Sequence, residues 1–391
     1  MKKLYQYAII FGALMMTSCD RNVGETVETA YQEPLPEVLV YKFQRNGSSS
    51  VNTLACQLII EPVDYIFNSY LKDARIFNQY YYEGLMKYYK IEGIDGAIPY
   101  NEIATSDFQK KYQAEIQQDI TAMIDISAKI SGYQSDNIRN REASKCISGY
   151  VGNSLGDLNL SFVDERGLAP AEAFYYMILG AIQMDKIFGT HLTNEVLQNT
   201  EYRTQHENLV LLQGRNYTAL EHHWDLSYGY FNRLKPLVQA DGLPILTHSE
   251  TKIYNALVQG RYEMGRYYYD EMTTQADIIR AELAKAIVVK TMNLLAGNNT
   301  LANLNEEAGY SFKFLSQAYG LIYSLQFLIN NNGEAYFSRS QVQNILNKMM
   351  GENGFWDKER LLSDENTTGS LKQIATEIGK PFGLTLSDIK R

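Results

Sequence analysis

The stretch TQADIIRAELAKAIVVKTMNLL, residues 274–295, decides the fold. Ile279, Leu283, Ile287 and Leu294 share one face of a helix with 3.6 residues per turn, while Glu282, Lys285 and Asn293 fall on another. Gly297 follows, a residue that ends helices. Residues 312–329 extend the pattern: Phe314, Leu315, Leu321, Ile322, Leu325 and Leu328 make this segment apolar nearly all round, the mark of a central buried helix. Further helices are expected over 107–130, 170–188, 250–269, 340–350 and 370–378, with Pro170 suited to a first turn and Ser340 to an N-cap. The chain has only eight prolines in 391 residues, and no fixed-period repeat marks a solenoid. The expectation is an all-α protein of two packed helical bundles, with a boundary in the polar stretch 200–215. A short extended arm precedes them, because the β-favouring residues 38–43 run into the turn dipeptide Asn46-Gly47.

The first nineteen residues, MKKLYQYAIIFGALMMTSC, join two lysines, an apolar run over 7–16 and small residues ending at Cys19. That layout is an export signal, too short for a permanent span of roughly 20 apolar residues. Met16-Thr17-Ser18-Cys19 resembles a bacterial lipobox, in which cleavage before the cysteine frees it for lipid; an ordinary cleaved signal is the competing reading. Residues 1–18 are therefore read as a lipoprotein signal peptide, 19–37 as a polar spacer after a lipidated Cys19, and 38–391 as the body. A lipid on Cys19 makes the membrane a partner and the cell envelope the location, the outer membrane before the inner. Cys56 and Cys146 are left, as two free thiols or one bridge, since sequence does not fix their separation.

Charge narrows the partners. The net charge is −9, and removing residues 1–18, which carry Lys2 and Lys3 and no acid, leaves −11. An acidic body repels nucleic acid and anionic lipid, so no nucleic-acid role is expected. The 30 tyrosines against two tryptophans come in runs such as Tyr80-Tyr81-Tyr82 and Tyr267-Tyr268-Tyr269, suited either to a ligand groove or to half-buried helix packing.

Chemistry concentrates in NYTALEHHWD, residues 216–225. Thr218 and Glu221 fit a capping box, and the helix they start is expected to stop before Pro236. His222 and Asp225 are three residues apart, Glu221 and Asp225 four, so each pair shares a helix face. His222 and His223 diverge by about a hundred degrees. Glu221, His222, His223 and Asp225 are thus the candidate metal ligands, and imidazole with carboxylate suits iron or zinc. The competing reading is packing: Trp224, Tyr228 and Phe231 form an apolar stripe beside them. A second pair, His191 and Glu195, follows Gly189-Thr190. Arg280, near the apolar face of its helix, needs a partner, with Asp277 the local acid and Asp225 the cross-helix one. No catalytic motif is present: no His-Glu-x-x-His, no Gly-x-Ser-x-Gly, no phosphate loop and no dinucleotide fingerprint.

Three segments carry a resemblance: NYTALEHHWDLSYGYF at 216–231, LSQAYGLIYSLQF at 315–327, and GEAYFSRSQV at 333–342 with NGFWD at 353–357. Together they resemble a domain-of-unknown-function family of Gram-negative envelope lipoproteins, over nearly all of the chain after the spacer. More distantly the chain is similar to imelysin-like proteins, which implies an exported, all-helical, two-bundle protein associated with iron. Their Gly-x-His-x-x-Glu motif is matched in spacing by His222 and Asp225, with Leu220 at the glycine position and Asp for Glu. At the other place Gly189 and His191 match, and Glu195 falls one residue late.

The sequence therefore leads to a lipid-anchored envelope binding protein with a transition metal at His222, His223 and Asp225. The alternative is a non-metal binding or assembly lipoprotein that offers a tyrosine-rich groove to a glycan, a peptide or another envelope protein. A third reading, an enzyme on envelope polymers, needs two carboxylates facing one cleft.

Overall fold

The computed structural model describes residues 39–68, 101–131, 141–152, 161–304 and 308–390. Cys19, the expected signal peptide and spacer, and the Tyr80–Tyr82 run lie outside the described residues. Within them the chain is all-α, with two small antiparallel hairpins.

The arm enters in extended form. Tyr41 and Phe43 turn inward while Val40 and Lys42 face out, the alternation an extended chain imposes. Its two-residue strands, β1 (Gln44–Arg45) and β2 (Ser48–Ser49), close around Asn46-Gly47, both at positive φ (50° and 76°), the backbone of a tight hairpin turn. Helix α1 (Leu54–Ile66) follows, and then α2 (Gln113–Ser131), which starts six residues later than the periodicity predicts because 3-10 turns precede it. A hairpin that the sequence did not announce, β3 (Gly149–Val151) with β4 (Ser161–Val163), leads to α3 (Pro170–Ile178).

The α-helix expected over 170–188 does not run through. Beyond Ile178 the chain winds into π-helical turns, Leu179–Met184 and Ile187–His191, wider coils that often mark functional sites. Two glycines account for the close packing there. A Cβ on Gly180 would lie 2.2 Å from Ser324 Oγ, and one on Gly189 2.7 Å from Ser106 Cβ.

Short helices α4 (Asn194–Leu197) and α5 (Thr200–Glu207) come next. The stretch 200–215 is thus loop only in its second half: Asn199 caps α5 by accepting the Tyr202 amide at 3.0 Å, and buried His206 anchors its polar sequence. Helix α6 (Ala219–Val238) carries Pro236 inside it and does not stop ahead of it. Burial of Leu237 and Val238 holds the last turn although one backbone bond is lost at the proline.

Helix α7 (Ser249–Gly265) breaks at Arg266, and Tyr267 turns with φ 64° into α8 (Tyr269–Ala296). α8, read from sequence as amphipathic, is buried on most of its circumference: Glu282 and Lys290 are enclosed with Leu283 and Ile287. Their charges are carried inside by partners. Glu282 accepts from Ser249 Oγ at 2.5 Å and Lys252 Nζ at 2.9 Å, and Lys290 pairs with Asp241. α8 ends at Gly297, whose φ of −67° is not left-handed; here the glycine clears Asn293 O, 2.4 Å from where a Cβ would sit. After α9 (Asn298–Asn303) come α10 (Ala308–Ser324), α11 (Arg339–Met350), α12 (Lys358–Leu362) and α13 (Leu371–Gly379). The cap of α11 is Ser338, in a complete box with Gln341, and not Ser340.

Packing gathers α6, α7, α8 and α13 on one side and α2, α3, α10 and α11 on the other, joined where α8 meets α10 and α6 meets the π-helical turns. One continuous apolar core runs through both groups, from Tyr41 to Ile389. Cys56 is buried and Cys146 exposed, both free; burial pushes the Cys56 thiol up to about 12.

Candidate functional site

The residues of NYTALEHHWD separate into three environments. Thr218 starts α6 as read: its hydroxyl accepts from the Glu221 amide, and Glu221 Oε2 accepts from the Thr218 amide at 2.8 Å. The same hydroxyl lies 2.9 Å from His206 Nδ1, and His206 Nε2 lies 3.0 Å from the Met264 carbonyl. A carbonyl only accepts, so Nε2 carries the hydrogen and Nδ1 receives the Thr218 proton. Burial, against the pull of Glu221, lowers His206 to about 4. This neutral histidine was not singled out by the sequence reading.

Glu221 and Asp225 form an ionic centre with two arginines. Arg45, from the arm's hairpin, grips Glu221 with two bonds of 3.1 and 2.9 Å, and Arg261 of α7 approaches it at 2.9 Å. Burial works against the Glu221 charge, yet Arg261, His206 and Arg45 outweigh it and hold the carboxyl at about 2. Asp225 accepts at Oδ1 from Tyr41 Oη (2.7 Å) and Arg261 Nε (3.0 Å), leaving Oδ2 without a hydrogen-bond partner among the described residues. Its burial exceeds the help from Arg261 and raises it to about 6. Carboxylates already held by guanidinium groups are poor ligands for a further cation.

His222, half-buried, stacks on Tyr217 at 4.8 Å. His223 leaves the helix on a different side, with Nδ1 3.0 Å from His191 Nδ1. Burial is the main cause that brings His223 down to about 4 and His191 well below its usual value, so both rings are neutral at pH 7 and one Nδ1 donates to the other. The proposed tetrad of Glu221, His222, His223 and Asp225 is therefore not assembled. Among the described residues no group of three or more His, Cys, Asp or Glu side chains is placed to hold a metal.

His223 opens instead onto a cleft of about 510 Å³. Its walls are the 105–108 loop, the second π-helical turn, the start of α4 and the 330–333 turn. Asp185 fixes the first wall: its Oδ1 accepts from Ser106 Oγ at 2.5 Å and its Oδ2 from the Ser106 amide at 2.9 Å. Burial nevertheless raises Asp185 to about 6. Lys186 adds Thr105 Oγ1 and Glu102, each at 2.7 Å.

Arg280 braces two walls. It pairs with Asp277, as expected from the local spacing, donates to the Leu192 carbonyl, and reaches Asn331 Oδ1 at 3.3 Å. Asp225 belongs to Arg261 and is not its partner. Glu195 shares the cleft with His223 and with Asp107, and Phe108 stands at its edge, 36% exposed. Among the described residues no tyrosine lines this cleft. Several described tyrosines stack within the body, as Tyr41 does on Tyr228 at 3.7 Å and Tyr336 on Phe382 at 4.4 Å.

Ser106, Asp185 and the 330–332 asparagines escaped the sequence reading. The available signal was Gly180 and Gly189 inside an apolar helical run. No curated protein and no solved structure shows a significant match to this chain. The profile of one family matches residues 39–385, and the chain therefore belongs to the family described as domain of unknown function DUF4856.

Proposed function

We propose that the protein is a cell-envelope binding protein, tethered by lipid on Cys19, that takes a neutral, hydroxyl-rich ligand, a short glycan, in the cleft beside His223. The carrying observation is the chemistry of the cleft wall. Asn194, Asn332 and neutral His223 offer donors and acceptors, the buried Thr190 hydroxyl has no partner among the described residues, and exposed Phe108 offers an apolar face. A few convergent polar groups with one aromatic suit a ligand with both hydroxyls and C–H faces. The envelope location is supported by the lysines, apolar run and Cys19 of the N-terminus. Among the described residues no helix is long and apolar enough to cross a membrane.

Thermal unfolding of the full chain with a panel of oligosaccharides and equal-sized peptides tests the reading. A ligand at a hundred times its Kd stabilises by about 2.7 kcal/mol, and Phe108→Ala and Asn332→Ala should each abolish the effect. Stabilisation by peptides alone, or by nothing in the panel, sinks the glycan assignment. Release of reducing ends would make the protein an enzyme, since Asp107 and Glu195 both face the cleft. Palmitate labelling that persists in Cys19→Ser would sink the tether.

A second reading, iron or zinc on His191 and His223, is supported by their two neutral nitrogens 3.0 Å apart. It supplies two donors where structural sites take four, and so ranks below the first. Metal analysis of untagged wild type against His223→Ala checks it; equal content removes it.

A further inference from the structure

The cleft beside His223 carries net negative charge. Two carboxylates line it from two of its walls, Asp107 in the 105–108 loop and Glu195 in the first turn of α4. Both side chains are exposed, and exposed carboxylates are ionised at pH 7. Among the described residues neither is held in a hydrogen bond or a salt bridge. The positive groups nearby are already engaged. Arg280 is the cation of the described wall, but its guanidinium pairs with Asp277, donates to the Leu192 carbonyl and reaches Asn331. Lys186, bonded to Thr105 of the same wall, pairs with Glu102 at 2.7 Å. His223 is neutral, and His191 engages its Nδ1.

The one other source of positive potential at this wall is the start of α4, and it is weak. Thr193 caps it by accepting the Val196 amide at 3.3 Å, the helix has four residues, and Glu195 sits in that same first turn, where a carboxylate offsets the helix dipole. Behind the 105–108 loop, Asp185 adds a further acid, with both of its oxygens on Ser106. In a cleft of about 510 Å³, a ligand group lies close to these walls, inside the Debye length of about 8 Å at physiological ionic strength.

We propose that Asp107 and Glu195 form a charge filter, the pair of residues that makes the cleft accept uncharged sugars and reject sugars bearing a carboxylate, sulfate or phosphate. The proposal rests on the glycan reading of the cleft. A sugar hydroxyl donates a hydrogen bond to a carboxylate, whereas an ionised acid group has only acceptors to offer. An acidic sugar therefore gives up hydration without meeting an uncommitted cation, and two like charges face it, a repulsive element of the kind that sets specificity. Two unit charges about 4 Å apart in a water-like dielectric interact by roughly a fivefold change in affinity, so the two carboxylates together set a preference of about fivefold to 25-fold.

Calorimetric titration of the full chain with trisaccharides of glucose and of galactose, and with the same sugars oxidised at every C6 to carboxylates, tests this. Wild type should bind the neutral form more tightly by about fivefold or more, and added salt should strengthen binding of the oxidised form by screening the repulsion. The double variant Asp107→Asn, Glu195→Gln should bring the ratio of the two affinities toward one and remove that salt effect, with each single variant supplying part of the change. Both side chains are exposed, so the variants keep the fold. A merely structural role for either residue would move both affinities together and leave their ratio alone. Equal binding of neutral and oxidised sugars by wild type, tighter binding of the oxidised form, or a ratio that survives in the double variant overturns the filter and leaves the glycan reading intact. Binding of none of these sugars overturns both.

Discussion

At the scale of single residues, the quoted cluster around His222 shows how neighbours override residue type. Arg261 is fully buried between Glu221 and Asp225, so Arg261→Met strips buried Asp225 of its cation and leaves Glu221 with Arg45 alone. The expected loss is about 3–5 kcal/mol in urea denaturation, against a clearly smaller loss for Asp225→Asn, whose charge the site already disfavours. A loss for Arg261→Met below that of Asp225→Asn would contradict the assignment. Stability should also depend on pH in a defined direction. His206, lowered to about 4, contributes stability above its unfolded value near 6.5 that is lost as pH falls from there toward 4. Asp225, raised to about 6, works oppositely: its unfolded form loses the proton first, so stability falls as pH rises from about 4 to 6. His206→Gln should therefore flatten the acid limb of the urea midpoint between pH 6.5 and 4, where the histidine supplies up to about 3 kcal/mol. An unchanged limb would show that His206 is not held neutral.

At the scale of elements, caps and close approaches decide boundaries that periodicity leaves loose. Ser338, and not Ser340, accepts from Gln341 N, at 3.3 Å. Ser338→Ala should lower stability by about 1 kcal/mol and Ser340→Ala by no more than about 0.5 kcal/mol, read by thermal unfolding; the reverse order would restore the sequence-based cap. Gly180→Ala places a methyl 2.2 Å from Ser324 Oγ and should destabilise by about 1–3 kcal/mol, whereas Gly214→Ala, in open space, meets no neighbour and pays only for its left-handed φ of 68°. The capping box at Thr218 was legible because it depends on four consecutive residues. The π-helical turns after Ile178 were not: they lie where Gly180 and Gly189 pack against Ser324 and Ser106, which come from distant segments.

At the scale of the whole molecule, Arg280 connects the end of the π-helical region to the 330–333 turn through the Leu192 carbonyl and Asn331. Arg280→Gln should raise hydrogen exchange in both segments together, while leaving α7 unaffected; a rise confined to the mutated helix would remove the brace. The sequence by itself determined the all-α class, the long helices, the Thr218 cap and the Arg280–Asp277 pair, because each rests on contacts within a turn or two of chain. Only the tertiary structure decided that Glu221 and Asp225 answer to Arg45 and Arg261, that His223 meets His191, and that α8 is a central helix with charges inside. The physical reason is the same each time: a buried carboxylate, imidazole or ammonium takes its protonation and its partner from groups far away in sequence, and a pattern along one helix does not contain them.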